Sequence, residues 1–208
     1  MPGRSGACCY VTSAGFAISC VIMKCESQVR AGLYLLLAAL LREAPDERLL
    51  SQLGNLEVGE EDSDLAQALG SLKQIAPTVH PVELEREFHA LFIGVTRGEL
   101  MPYASWYLSG YLHERPLAWI RKDLRRLGIE RSCETCEPED HIAALCESMA
   151  LLVLQAEESQ ERFYRCHLKP WVDRFFADLT QADAARFYRV VGRLGCVSVD
   201  RENRYFDA

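Results

Sequence analysis

The chain has 208 residues, 49% of them hydrophobic and 25% charged, with a formal net charge of −7. That is enough apolar material for one large domain with its own buried core, and it needs no covalent staples. The acidic balance excludes a surface that neutralises a phosphate backbone, which requires clustered Lys and Arg, so no nucleic acid is expected; a basic partner fits better than an acidic one.

Residues 1–22 carry one early Arg and then a mildly apolar run that only faintly resembles a secretory signal, because no Ala-x-Ala cleavage pattern follows. The run is too short and too polar to span a bilayer. Strong helical patterning starts just after Met23. The expectation is a disordered or mis-assigned extension over 1–22, a helical domain over 23–200 and no stable membrane insertion.

In the first segment Leu33, Leu36, Leu37, Leu40 and Leu41 recur at i, i+3, i+4, i+7 and i+8, a wide buried stripe that Pro45 ends. "APDERLLSQLG" restarts a short helix. "DSDLAQALGSLKQIAP" offers Asp62 or Ser63 as cap, Leu65, Leu69, Leu72 and Ile75 as stripe, and Pro77 as stop. Pro81 fits the first position of "PVELEREFHALFI", whose inward face is Leu84, Phe88, Leu91 and Phe92. "RPLAWIRKDLRRLG" has Pro116 at its start, Leu117, Ile120, Leu124 and Leu127 inward, and Gly128 as its C-terminal cap. Pro138 opens what reads as the longest segment, striped by Ile142, Leu145, Cys146, Met149, Leu152, Val153 and Ala156. Two more helices follow around "PWVDRFFADL" and "ADAARFYRVVGRLG". Alternating β-branched runs are absent, so the pattern predicts an all-α, single-domain bundle of about eight or nine helices.

Two connections are long for such a bundle, and long loops are where function concentrates. Residues 94–105 carry Gly94, Gly98 and Pro102; residues 128–138 carry Cys133, Cys136 and several acids. Cys133-x-x-Cys136 has half of a zinc-knuckle pattern, with His141 as a third ligand. Cys146 lies about 140° round a helix from His141, so the two do not face one ion. A thioredoxin-type reading lacks a strand, and the surrounding carboxylates disfavour a thiolate. The nine Cys are an odd number, several on apolar helix faces, which favours packed thiols in a reducing cytosol. Glu137, Glu139 and Asp140 suit a helix entrance, where acids stabilise the macrodipole, and His141 suits packing or capping there. Hydrolytic machinery is missing: there is no Gly-x-Ser-x-Gly elbow, His-Glu-x-x-His or phosphate loop.

The first loop also supplies Tyr103, Trp106, Tyr107, Tyr111 and Trp119, which cannot all face one interior. A trough of aromatics with Glu137 and Asp140 at its mouth suits an apolar peptide preceded by arginines, since guanidinium pairs bidentately with carboxylate.

"EFHALFIGVTRGELMPYASWYL", followed about 30 residues later by "CEPEDHIAALCESMALL", resembles the TorD/DmsD group of redox-enzyme maturation chaperones, related more distantly to NarJ. The matching positions are Phe88, Leu91, Phe92, Gly94, Gly98, Pro102, Tyr103, Ser105 and Tyr107, then Glu137, Pro138, Asp140 and His141. The likeness covers residues 30 to about 180. It implies a cytoplasmic all-α chaperone that is not an enzyme, holds no cofactor of its own, and binds the twin-arginine leader or apoprotein of a molybdopterin oxidoreductase until cofactor insertion. Asp140, His141, Trp106 and Tyr107 match the group's leader-binding positions; Glu137, Tyr103, Pro102, Phe92 and Ser105 complete the candidate peptide site. Asp140, helped by Glu137, is expected to receive a leader arginine, with His141 orienting that carboxylate or donating to a peptide carbonyl. The Cys133/Cys136 pair departs from the group's pattern and keeps a metal-binding or thiol-switch protein as the alternative. Client identity and oligomeric state stay open.

Overall fold

The computed structural model describes residues 25–59, 63–130, 137–155 and 158–207. Among them the chain forms ten α-helices and no strand: α1 (Glu26–Arg42), α2 (Glu47–Gly54), α3 (Asp64–Ile75), α4 (Pro81–Phe88), α5 (Ala104–Ser109), α6 (Arg115–Leu127), α7 (Ile142–Leu154), α8 (Gln160–His167), α9 (Val172–Gln181) and α10 (Phe187–Asp207). A 3₁₀ turn, Ala76–Thr78, follows α3, and a π turn, His89–Ile93, extends α4. The all-α expectation holds. Residues 1–22 and the thiols Cys133 and Cys136 lie outside the described residues.

The core is built on α1 and α7, which pack along each other more extensively than any other pair. Leu33, Leu36, Leu37, Leu40 and Leu41 of α1 are all buried, as the leucine spacing requires. The α7 helix is buried on nearly every side, with Ala143, Ser148 and Ala150 enclosed as well as its apolar stripe. A helix that is apolar all round belongs in the centre. The α10 helix lies against α9 and α3 and closes the bundle; Gly195 lets it cross Phe176, whose ring a Cβ there would meet at 2.1 Å.

Two helix boundaries differ from the sequence expectation. The segment opened by Pro138 is not the longest: Pro138 to Asp140 form a turn, His141 is the N-cap, and α7 has 13 residues against 21 in α10. The reason is tertiary. The Ile142 N–H donates 2.9 Å to the Pro102 carbonyl in the other loop, so this strip of backbone pairs outward before it winds. At the other boundary, α4 gives way to the π turn, and the Gly94 N–H closes that turn on the His89 carbonyl at 2.7 Å, with Gly94 at φ 65°. The chain then doubles back, Leu100 N–H donating to the Leu91 carbonyl at 2.8 Å. Gly98 sits under this fold-back, where a Cβ would stand 2.5 Å from the Phe92 carbonyl carbon.

Carboxylates from that region hold the far end of the bundle. Glu87 of α4 accepts the N–H groups of Arg186, Phe187 and Tyr188 at 2.7, 3.2 and 2.8 Å, which satisfies the first turn of α10. Glu99 accepts those of Asp183 and Ala184.

A buried ion pair ties the first helix to the last. The Arg30 guanidinium donates to both Glu202 oxygens, at 2.8 and 2.6 Å, and to Gln160 at 2.9 Å, with the Tyr205 ring 3.6 Å away. Removing one partner of such a pair strands a buried charge. Arg30→Met is therefore expected to lower the unfolding free energy by about 3–5 kcal/mol in urea titrations, and Arg30→Met with Glu202→Leu should recover most of that loss. A single variant as stable as the parent would show that Glu202 does not depend on Arg30.

Candidate functional site

The two loops singled out in the sequence meet as an antiparallel bridge between Tyr103 and His141. Pro102 has no N–H to offer, and its carbonyl takes the Ile142 N–H; the Asp140 carbonyl takes the Ala104 N–H, also at 2.9 Å. Side chains reinforce the bridge. Asp140 is 1% exposed and its carboxylate accepts the Ser105 N–H at 3.1 Å, capping the first turn of α5. His141 caps α7, its Nδ1 accepting the Ala143 N–H at 3.2 Å. The Tyr103 hydroxyl donates to Glu137, and its ring meets the His141 ring edge-on, centroids 5.1 Å apart.

Burial, with the Arg42 charge adding to it, pushes the His141 imidazole down to about 3, so the ring stays neutral at ordinary pH. A neutral ring whose Nδ1 accepts carries its proton on Nε2. Burial and the Glu137 carboxylate hold the Tyr103 phenol above its usual range, and burial with Asp178 does the same for Tyr107. Both hydroxyls are donors.

Tyr103, Trp106 and Tyr107 stand three and four residues apart on α5 and its cap, hence side by side. All three are half-buried. Tyr107 rests on Trp171 and Phe175 and donates to Asp178 of α9 at 3.0 Å. Two carboxylates thus flank the group, Glu137 on Tyr103 and Asp178 on Tyr107. Two guanidinium groups of the chain lie over it: Arg97 is 5.1 Å from the centre of the Trp106 ring and Arg174 is 5.5 Å from that of Tyr107.

Of the sequence-predicted residues, Pro102, Tyr103, Ser105, Glu137, Asp140 and His141 form one hydrogen-bonded staple, and Trp106 and Tyr107 are half-buried on the helix it starts, Tyr107 against α9. Phe92 is elsewhere, packed edge-on against Phe88 and Tyr188. Ser105 is fully buried, and its Oγ has no partner. Glu139 pairs with Arg121 of α6 at 2.8 Å rather than serving a helix entrance. Asp178, Arg174 and Arg97 were missed. Asp178 is 71 residues from Tyr107, and no local spacing links them.

The aromatic row lines neither of two cavities in the molecule. One is an enclosed void of about 20 Å³ beside Arg30 and Tyr34. The other is an open cleft of about 350 Å³ between α2 and the 3₁₀ turn. Among the described residues no three His, Cys, Asp or Glu are grouped to hold a metal ion, and Cys25, Cys146, Cys166 and Cys196 are free thiols.

A neutral His141 has a pH consequence. Unfolded, it titrates near 6.5; folded, near 3, so between those values the unfolded chain binds a proton that the native state refuses. Stability present above pH 6.5 is accordingly lost as pH falls through this window. His141→Asn keeps a good N-cap but does not titrate. Its urea midpoints should fall less steeply on acidification, by about one proton or ~1.4 kcal/mol per pH unit. Parallel curves for the two proteins would contradict a buried neutral imidazole.

The profile of the nitrate reductase delta subunit family matches residues 59–177, a span that contains both stapled segments. The chaperone protein TorD of Shewanella pealeana is 26% identical over 187 residues, covering 80% of this chain and 85% of that protein. TorD of Vibrio cholerae is 25% identical over 209 residues, covering 89% and 95%. A solved structure described as a redox enzyme maturation protein of Archaeoglobus fulgidus shares the fold, with a TM-score of 0.60 at 19% identity over 86% of this chain and 98% of that one. The named relatives are chaperones, not enzymes, as the motif resemblance implies. The chain belongs to the nitrate reductase delta subunit family, and proteins named chaperone protein TorD resemble it over most of its length.

Proposed function

We propose that this protein is a cytoplasmic maturation chaperone that binds the twin-arginine leader, and through it the apoprotein, of a molybdopterin oxidoreductase until the cofactor is in place. A leader held on the chaperone is withheld from export. The observation that carries this reading is the aromatic group of α5 and its cap, flanked by Glu137 and Asp178 and already covered by two guanidinium groups of the chain itself. A surface that takes Arg97 and Arg174 takes guanidinium chemistry in general, through ring faces and carboxylates together.

Arg97 is exposed and the Arg174 side chain is 74% exposed, so each stack is worth little and gives way readily. In the bound state one leader arginine lies over Trp106 with Glu137 as its carboxylate, and the second over Tyr107 with Asp178. Asp140 and His141 act as positioning residues: they are buried, and they set the angle at which α5 presents the row. The apolar part of the leader continues over neighbouring surface.

In calorimetric titration the full chain is expected to bind a leader with its Arg pair intact at micromolar affinity or better, and a Lys-Lys leader far more weakly. Trp106→Ala and Glu137→Gln should each weaken binding about tenfold without loss of helicity. Arg97→Ala should tighten it, because a competitor leaves. Unchanged isotherms for Trp106→Ala and Glu137→Gln would remove the row from the site, and no binding of the intact leader by the parent protein would end the leader reading itself.

A further inference from the structure

The net charge of −7 conceals one strongly basic element. Helix α6, "RPLAWIRKDLRRL", holds five basic residues and one acid, a net +4, so the remainder of the chain carries −11. The single acid, Asp123, is turned inward to His167 of α8 at 2.9 Å. Among the described residues Arg121 alone of these cations is paired, with Glu139. Arg115, Lys122, Arg125 and Arg126 are exposed and form no ion pair among the described residues.

Helical geometry aligns these groups. Leu117, Ile120 and Leu124 fix the buried side of α6. Arg115, Trp119, Lys122 and Arg126 follow one another at intervals of four, three and four, a single line on the opposite side about 17 Å long. Trp119 is 59% exposed in the middle of that line. Just ahead of the helix Tyr111 is 71% exposed and Leu112 is also out in solvent, and His113 at φ 60° turns the chain from them into α6. A large apolar ring held outward between cations has no use in the core of this molecule, and neither cavity includes an α6 residue.

We infer that the outward line of α6, headed by Tyr111 and Leu112, docks on an anionic bilayer surface. The chemistry matches on three counts. Lys and Arg reach lipid phosphates on flexible stems, and each gives roughly a fivefold gain in partition near an anionic leaflet. Indole and phenol rings prefer the interfacial depth just beneath. The acidic remainder of the chain repels the same surface, so only the α6 side can face it. The line is convex and suits a flat sheet of charge better than a protein groove. No helix among the described residues is long and apolar enough to cross a membrane, so the contact is peripheral.

The test uses the full chain and vesicles of phosphatidylcholine with or without phosphatidylglycerol, read by co-sedimentation and tryptophan emission. The protein should bind the anionic vesicles at low salt, shift its emission to the blue, and leave when salt is raised to about 1 M. Arg115→Gln, Lys122→Gln and Arg126→Gln together should weaken binding on the order of 100-fold, while Trp119→Ser should abolish most of the emission shift. Leader titration of these variants should match the parent, which separates this surface from the α5 site and shows the variants folded. No binding to anionic vesicles overturns the inference, as does equal binding by the triple variant. Loss in the triple variant of a self-association seen without vesicles overturns it in favour of a second copy on this face.

Discussion

Three helices of this fold begin where water is scarce, and a peptide N–H left unsatisfied there costs about 1–3 kcal/mol. For two of them local sequence does not supply the remedy. Asp140 caps α5 from 35 residues downstream, and Glu87 serves α10 from about 100 residues upstream. His141 caps α7 from its own N-cap position, in the extended conformation usual for an N-cap, and its backbone also bridges to Tyr103. The first two caps therefore join segments distant in sequence at the point where a helix starts, whereas His141 serves an N–H two residues on. The two loops and the α9–α10 connection are shaped by this requirement, and the position of the aromatic row follows from it.

What could be read from the chain divides along the same physical line. The leucine spacing of α1, Pro81, Pro116 and Gly128 act within a turn or two of their own position, and the elements they mark form where their spacing places them. The start of α7 is different, because Pro138 permits a helix there and the Pro102 carbonyl prevents it by taking the Ile142 N–H. The candidate site splits too. Tyr103, Glu137, Asp140 and His141 were legible as a set through the motif resemblance, and they do come together. Asp178 and Arg174 were not, since only the packing of α9 under Tyr107 gives them a place. Whole-chain charge misled in one respect, averaging the cations of α6 into a net negative sum.

Burial also separates roles that looked alike in the sequence. Asp140 and Glu137 are two acids three residues apart, but Asp140 is enclosed and holds a backbone N–H, whereas Glu137 is half-buried and, among the described residues, accepts from one phenol. A carboxylate has about four acceptor positions, so Glu137 can take a guanidinium while keeping Tyr103. Asp140 is enclosed, so a guanidinium would have to displace the packing around it to reach its remaining acceptor positions. The physical division is thus between an acid that shapes the site and an acid that faces it.

On the proposed function, the chain's own arginines also bear on selectivity. Exchanging Arg97 for one leader arginine over Trp106 replaces one cation–π contact by another, and each is worth about 0.5–1 kcal/mol at such exposure. The exchange alone is close to neutral. A net gain requires what the resident arginines lack: bidentate pairing with Glu137 and Asp178 at once, and an apolar continuation that removes surface from water. Arg174 approaches Asp178 only to 4.0 Å, and Arg97 is in no ion pair among the described residues, so both acids keep acceptor capacity that a correctly spaced pair would fill. A single arginine or an isolated apolar segment satisfies half of this condition. Discrimination for a paired motif then follows from the competition itself, without a deep pocket.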